Sequence, residues 1–221
     1  MPSKAPAPLP SRKTPGARPL RQRCAPALCA IALAVFPMSP RAQSVLVLDS
    51  GEDARRCSGA AEIAASLGTA SRDDYDTCMR ALTLTSLRPR DRAGTLVNRG
   101  IVAAAMDELD DALADYERAM TMLPELPEPW VGRGNVRFLR KDHTGAIADY
   151  DRALELGIVR RHIALLNRGM ALEVLGRLEE AERDYREAQA LAPEWPLPRP
   201  RIDRVVAKRK AAAGSPPPPP P

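Results

Sequence analysis

The sequence predicts an all-α protein, an α-solenoid of stacked antiparallel helix hairpins closed by a C-terminal capping helix. Three observations carry that prediction. Short blocks of sequence recur at steps of 34 and then 35 residues, the period of a helix–turn–helix unit. Between the Pro-rich ends Ala, Leu, Arg, Glu and Asp dominate, while aromatics make up only 4% of the chain, a helical balance with no long β-favouring run. Within each block Gly and Ala fall at fixed places, as two closely crossing helices require.

The first 44 residues stand apart from the repeats. Met1 to Arg23 is Pro-rich, basic and free of acids. An apolar run from Cys24 to Phe36 follows, and then small and helix-breaking residues through Ser44. That is the order of an export signal. Ala42-Gln43-Ser44 supplies a small-x-small site, with cleavage after Ala42 as the close alternative. The apolar run is roughly a dozen residues long, short of the ~20 that span a bilayer; an uncleaved anchor is the competing reading. Neither Cys24 nor Cys29 follows the Leu-small-small pattern of a lipoprotein signal. The expected product is a soluble exported protein, periplasmic in a bacterium or secreted, with no membrane span after signal removal.

Charge follows the same division. The whole chain carries a formal +5, yet seven basic residues and no acid lie in the first 44 positions. From residue 45 onward there are 26 basic and 28 acidic residues, a net charge of −2 with the signs interleaved. No electrostatic footprint for nucleic acid survives.

Export also changes the meaning of the cysteines. Cys57 and Cys78 remain after processing, an even number in an oxidising compartment. A disulfide between them would close a loop of about 22 residues, worth roughly 3 kcal/mol on the chain-entropy account. Two buried free thiols are the alternative. Two thiols without a nearby His cannot assemble a four-ligand zinc site, so no metal is expected.

The recurring blocks align residue by residue. Arg99-Gly100 returns as Arg133-Gly134 and Arg168-Gly169. Ala112-Leu-Ala-Asp-Tyr116 returns as Ala146-Ile-Ala-Asp-Tyr150 and Ala181-Glu-Arg-Asp-Tyr185, and Ala119 as Ala153 and Ala188. This pattern resembles the tetratricopeptide repeat, in which a large apolar residue, Gly, Ala, an aromatic, Ala and a closing Pro mark each unit. The first unit supplies Leu96, Gly100, Ala112, Tyr116, Ala119 and Pro124. The second supplies Trp130, Gly134, Ala146, Tyr150 and Ala153, with Ile158 where Pro is expected. The third supplies Leu165, Gly169, Ala181, Tyr185, Ala188 and Pro193. Seventeen of eighteen diagnostic positions agree, placing units at 93–126, 127–161 and 162–195.

One feature departs from that pattern regularly. Arg precedes each Gly, and sixteen residues later Asp precedes each aromatic. The three pairs, Arg99 with Asp115, Arg133 with Asp149 and Arg168 with Asp184, predict a bridge between the two helices of every hairpin, bidentate where geometry allows.

The flanks complete the stack. A linker is expected over 45–54 and a degenerate hairpin over 55–88, with a short helix at Ala60–Leu67, a stop at Gly68 and a second helix from Asp73 to Leu84. Cys78 stands where the other units have Tyr. A Cys-containing opening unit is similar to that of some exported bacterial repeat proteins, and implies a stapled end hairpin. A capping helix is expected over 196–212 and a proline-rich tail over 213–221, where six prolines favour polyproline II.

No catalytic constellation stands out. His143 and His162 fall near inter-helix turns, and no nucleophile elbow, phosphate loop or metal motif is present. No cofactor is expected. The resemblance instead implies a concave binding surface on the first helix of each unit. Its inward positions are Val97, Asn98, Ile101 and Ala105, then Val131, Asn135, Phe138 and Leu139, then Leu166, Asn167, Met170 and Val174. The set is mostly apolar, with an Asn per unit able to hold a peptide backbone. The expected function is a non-catalytic scaffold for a protein or peptide partner, monomeric, with a self-associating envelope protein or an accessory subunit as alternatives.

Overall fold

The structure is a computed structural model and describes residues 51–84 and 86–213. The expected signal at 1–44 and the tail beyond Ala213 lie outside the described residues. Nine α-helices are found among them: α1 (Glu52–Leu67), α2 (Arg72–Leu84), α3 (Pro89–Ala105), α4 (Leu109–Met122), α5 (Glu128–Leu139), α6 (His143–Glu155), α7 (Arg161–Val174), α8 (Leu178–Leu191) and α9 (Pro198–Ala213). They pack as four hairpins, α1 with α2, α3 with α4, α5 with α6 and α7 with α8, and α9 closes the stack against α8.

The repeat glycines show why the hairpins close. A Cβ on Gly100, Gly134 or Gly169 would stand 2.7 Å from the ring of Tyr116, Tyr150 or Tyr185. Only a residue without a side chain lets the ring lie flat against the facing helix. Tyr116 is hemmed in twice, because a Cβ on Gly132 of the next hairpin would stand 2.5 Å from the same ring. Ala112, Ala146, Ala181, Ala119, Ala153 and Ala188 are all fully buried.

The turns inside the hairpins are built alike. Asp107, Lys141 and Gly176 take φ of 65°, 65° and 75°. The next N–H reaches back five residues, from Glu108 to Ala103, Asp142 to Arg137 and Arg177 to Leu172, each at 2.9 Å. This satisfies helix-end carbonyls in the Schellman manner. Asp107 and Lys141 adopt the left-handed conformation without being Gly, at about 1 kcal/mol each.

Between hairpins, Pro124 and Pro193 each stand two residues beyond the last residue of α4 and α8, where the missing N–H costs nothing. Ile158, at the one junction without Pro, donates its N–H to the Ala153 carbonyl at 3.2 Å and is itself buried. Pro could not make that bond. Trp130 is partly buried, with the Arg133 guanidinium 4.9 Å from its ring centre.

The first hairpin is longer than the sequence suggests. α1 begins at Glu52, within the expected linker, and is not confined to Ala60–Leu67. Glu52 and Asp53 place negative charge in its first turn, which complements the helix dipole, and Ala54 and Cys57 are fully buried. Gly68, at φ 70°, ends it. Ser71 and Asp74 then cap α2 reciprocally, each backbone N–H bonded to the other's side chain at 2.8 and 3.2 Å, a capping box. Cys57 and Cys78 are joined across the hairpin, with S–S 2.07 Å and Cα–Cα 4.7 Å.

At the far end Val205 of α9 is fully buried, and Ile202 and Trp195 pack against the same core. Ion pairs do much of the docking. Arg204 places Nε and Nη2 on Glu173 at 2.8 and 2.6 Å, Lys208 adds a bond at 2.7 Å, and Tyr185 donates its hydroxyl at 3.0 Å. Arg209 bonds Glu179 and Glu182.

Candidate partner-binding face

The first helices of successive hairpins touch one another, α1 with α3, α3 with α5 and α5 with α7. Their shared side is the expected binding surface. The structure divides the residues expected there into two groups. Val97, Asn98, Ile101, Val131, Leu166 and Asn167 are buried. Val97 and Ile101 belong to the core that includes Cys57 and Val136, and Val131 and Leu166 to the core around Tyr150. The physical reason is crowding: α3 has α1, α2, α4 and α5 as neighbours, so few of its positions reach solvent. Asn135, Phe138, Met170 and Ala105 are partly buried, while Leu139 and Val174 are open.

The asparagines are not free for a peptide backbone, which corrects the sequence expectation. Asn167 Nδ2 donates to Asn135 Oδ1 at 2.9 Å, and the Tyr150 hydroxyl donates to the same oxygen at 2.8 Å. Asn98 is fully buried. Two of the three amides therefore tie α5, α6 and α7 together.

A different set of residues reaches solvent. The last residue of α1, α5 and α7 is an exposed aliphatic: Leu67 at 64%, Leu139 at 47% and Val174 at 57%. With Ala105 at the end of α3, each stands eleven residues before Cys78, Tyr116, Tyr150 or Tyr185. They occupy one register position on four hairpins. Ile63, one turn back on α1, is exposed as well. Sequence reasoning missed Ile63 and Leu67 because the first hairpin lacks the aromatic that sets the register; Cys78 in its place was the available signal.

Behind this face lies a repeated ion pair. Arg99 Nε and Nη2 bond Asp115 at 2.7 and 2.5 Å. The same atoms of Arg133 bond Asp149 at 3.0 and 2.7 Å, and those of Arg168 bond Asp184 at 2.8 and 2.7 Å. The expected bidentate bridges are present in all three hairpins. The third nitrogen of two of these arginines looks back one hairpin, Arg99 Nη1 to Met79 Sδ at 3.2 Å and Arg168 Nη1 to Asp151 at 2.6 Å. Burial pushes the Asp115 and Asp184 carboxyls up, against the bonds and charge of their arginines. The hydrogen bonds that Arg168 donates to Asp184 hold it firmly protonated.

Both histidines sit against aromatic rings. His143 meets Phe138 edge-on at 5.0 Å, and His162 meets Trp195 at 5.1 Å. Burial, and then the charge of Arg160, lowers the His162 pKa. Among the described residues no group of three His, Cys, Asp or Glu side chains is placed to hold a metal. No helix among them is long and apolar enough to cross a membrane.

Comparison with known proteins agrees with this geometry. Two tetratricopeptide-repeat family profiles match, one over residues 97–160 and one over 162–195. Residues 97–195 carry tetratricopeptide repeats. Human tetratricopeptide repeat protein 36 is 33% identical over 96 residues, covering 42% of this chain and 51% of that protein. The chain thus spans about half the length of the curated relatives it matches. The first tetratricopeptide domain of Spaghetti (RPAP3), solved with an HSP90 peptide SRMEEVD, superposes with a TM-score of 0.51 at 25% identity, over 55% of this chain and 94% of that one. MamA superposes with a TM-score of 0.54 at 16% identity, over 62% and 77%, a likeness of fold alone. Both repeat profiles begin after the disulfide-bonded hairpin, and together they take in the chain from Val97 in α3 through α8.

Proposed function

We propose that this chain is an exported, non-catalytic scaffold that holds a partner protein or peptide along the first helices of its hairpins. The observation that carries the reading is the row formed by Leu67, Leu139 and Val174. A solvent-facing aliphatic at one register position on three hairpins serves no core, and aligned exposed apolar side chains mark interaction surfaces. The peptide bound by the similar RPAP3 domain supports a peptide or protein partner here. The Cys57–Cys78 bond supports export, since disulfides persist in oxidising compartments. The order of basic, apolar and small residues before Val45 fits a bacterial periplasm.

Two measurements test the proposal. Capture from cell-envelope extract with the wild-type chain and a Leu139→Glu/Val174→Glu variant is expected to lose a discrete partner in the variant. Recovery of the same set by both would place binding elsewhere. N-terminal sequencing of the chain from a bacterial host's periplasm is expected to begin at Val45 or Gln43. An uncleaved chain in the cytosol would overturn the export reading.

A further inference from the structure

The exposed aliphatic row lies at the edge where the first helices end, and that edge is electrically distinct. The turns and helix starts along it, residues 68–76, 106–111, 140–145 and 175–180, hold ten acidic and four basic residues, and at the far end α9 brings Lys208 and Arg209 onto Glu173, Glu179 and Glu182. The opposite edge, residues 51–56, 86–92, 124–128, 157–162 and 193–201, holds six acidic and nine basic residues. Acids in the first turn of α2, α4 and α8 suit those helices' dipoles, so part of the acidity is structural. The first helices add to it. Their C-terminal ends point to this edge with about half a negative charge each, and the last turns of α1, α3 and α7 hold no basic residue to offset it. Asp73, Asp107 and Asp111 stand exposed there.

From this we infer the chemistry of the partner: an extended, cationic segment carrying an aliphatic residue at about every third position. The inference rests on the proposed function, in that it takes the aliphatic row as the binding surface. Packed helices lie about 8–10 Å apart, so the row offers anchors at that spacing from α5 to α7 and at about twice that spacing from α1 to α5, where Ala105 of α3 lies between. A polyproline II chain advances about 3.1 Å per residue with three residues per turn, so every third side chain points the same way and meets successive anchors. Lys or Arg between the aliphatic residues then faces the acidic edge, where opposite charge selects the partner and speeds its encounter.

The test uses fluorescence anisotropy with two labelled peptides, one of Leu-Lys-Lys repeats and one of Leu-Glu-Glu repeats, against the full chain. The basic peptide is expected to bind at least about tenfold more tightly, and to weaken about tenfold as salt screens the edge. Asp107→Lys/Asp111→Lys and Leu139→Ser/Val174→Ser are each expected to weaken it about tenfold or more. Glu125→Lys/Glu194→Lys on the opposite edge is expected to change it less than about twofold. All six positions are exposed, and unchanged helical circular dichroism confirms folding. Equal binding of both peptides, or an equal loss from the opposite-edge variant, overturns the inference. If Leu139→Ser/Val174→Ser abolishes binding of the acidic peptide instead, the partner chemistry is wrong while the binding face stands. If neither peptide responds to that variant, the binding face falls too.

Discussion

Arg99 grips Asp115 through two parallel hydrogen bonds of 2.7 and 2.5 Å, with both side chains almost wholly buried. A buried pair of this kind is costly to break from one side, because the surviving charge is left without a partner. Asp115→Ala is expected to cost about 3–5 kcal/mol, whereas Arg99→Met/Asp115→Leu loses much less. Urea unfolding of the three chains decides the matter. A cost under about 1 kcal/mol for Asp115→Ala would mean that packing alone holds the hairpin.

Two glycines predict opposite outcomes for the same substitution. Gly132→Ala drives a methyl into the Tyr116 ring and is expected to cost about 1–3 kcal/mol. Gly59, inside α1, has no atom within 4 Å of where its Cβ would stand. Gly59→Ala is therefore expected to gain about 0.5–1 kcal/mol from helix propensity. A midpoint that does not fall in Gly132→Ala would refute the close approach at Tyr116, and one that does not rise in Gly59→Ala would refute the open space in α1.

Reduction of the Cys57–Cys78 bond, which spans 21 residues of sequence, is expected to lower stability by roughly 3 kcal/mol. The loss should concentrate in α1 and α2, seen as faster amide exchange there than in α5 to α8. Identical urea midpoints with and without reductant would show that the bond adds no stability.

The cap carries a pH dependence of known sign. Burial works to raise the Glu173 carboxyl, yet bonds from Arg204 and Lys208 bring it below its ordinary value. A carboxylate depressed in the folded state stabilises above its unfolded pKa of about 4.3, and that stability is lost as pH falls through the lower folded value. Docking of α9 should therefore hold at neutral pH and weaken below about pH 4. Glu173→Gln is expected to cost about 2 kcal/mol at pH 7 and to flatten the acid limb of thermal midpoint against pH. An unchanged acid limb assigns the sensitivity to other carboxylates.

The hairpins were legible from the sequence because their constraints are local and repeated. A ring, the Gly it lies on and the Arg–Asp pair beside them recur at fixed offsets, so Gly100, Tyr116, Arg99 and Asp115 announce one another. The binding face was only half legible. Val97 and Leu139 both sit at inward positions of their helices, yet Val97 is buried in the middle of α3 while Leu139 stands open as the last residue of α5. The asparagine amides were misread because Asn135 and Asn167 are 32 residues apart and meet only after stacking. Leu67 escaped notice because Cys78 replaces the landmark ring.

The backward reach of the repeat arginines gives the stack an order in time. Met79 precedes Arg99 in the chain, and Asp151 precedes Arg168, so each acceptor leaves the ribosome before its donor. A hairpin emerging during synthesis finds its docking point already made.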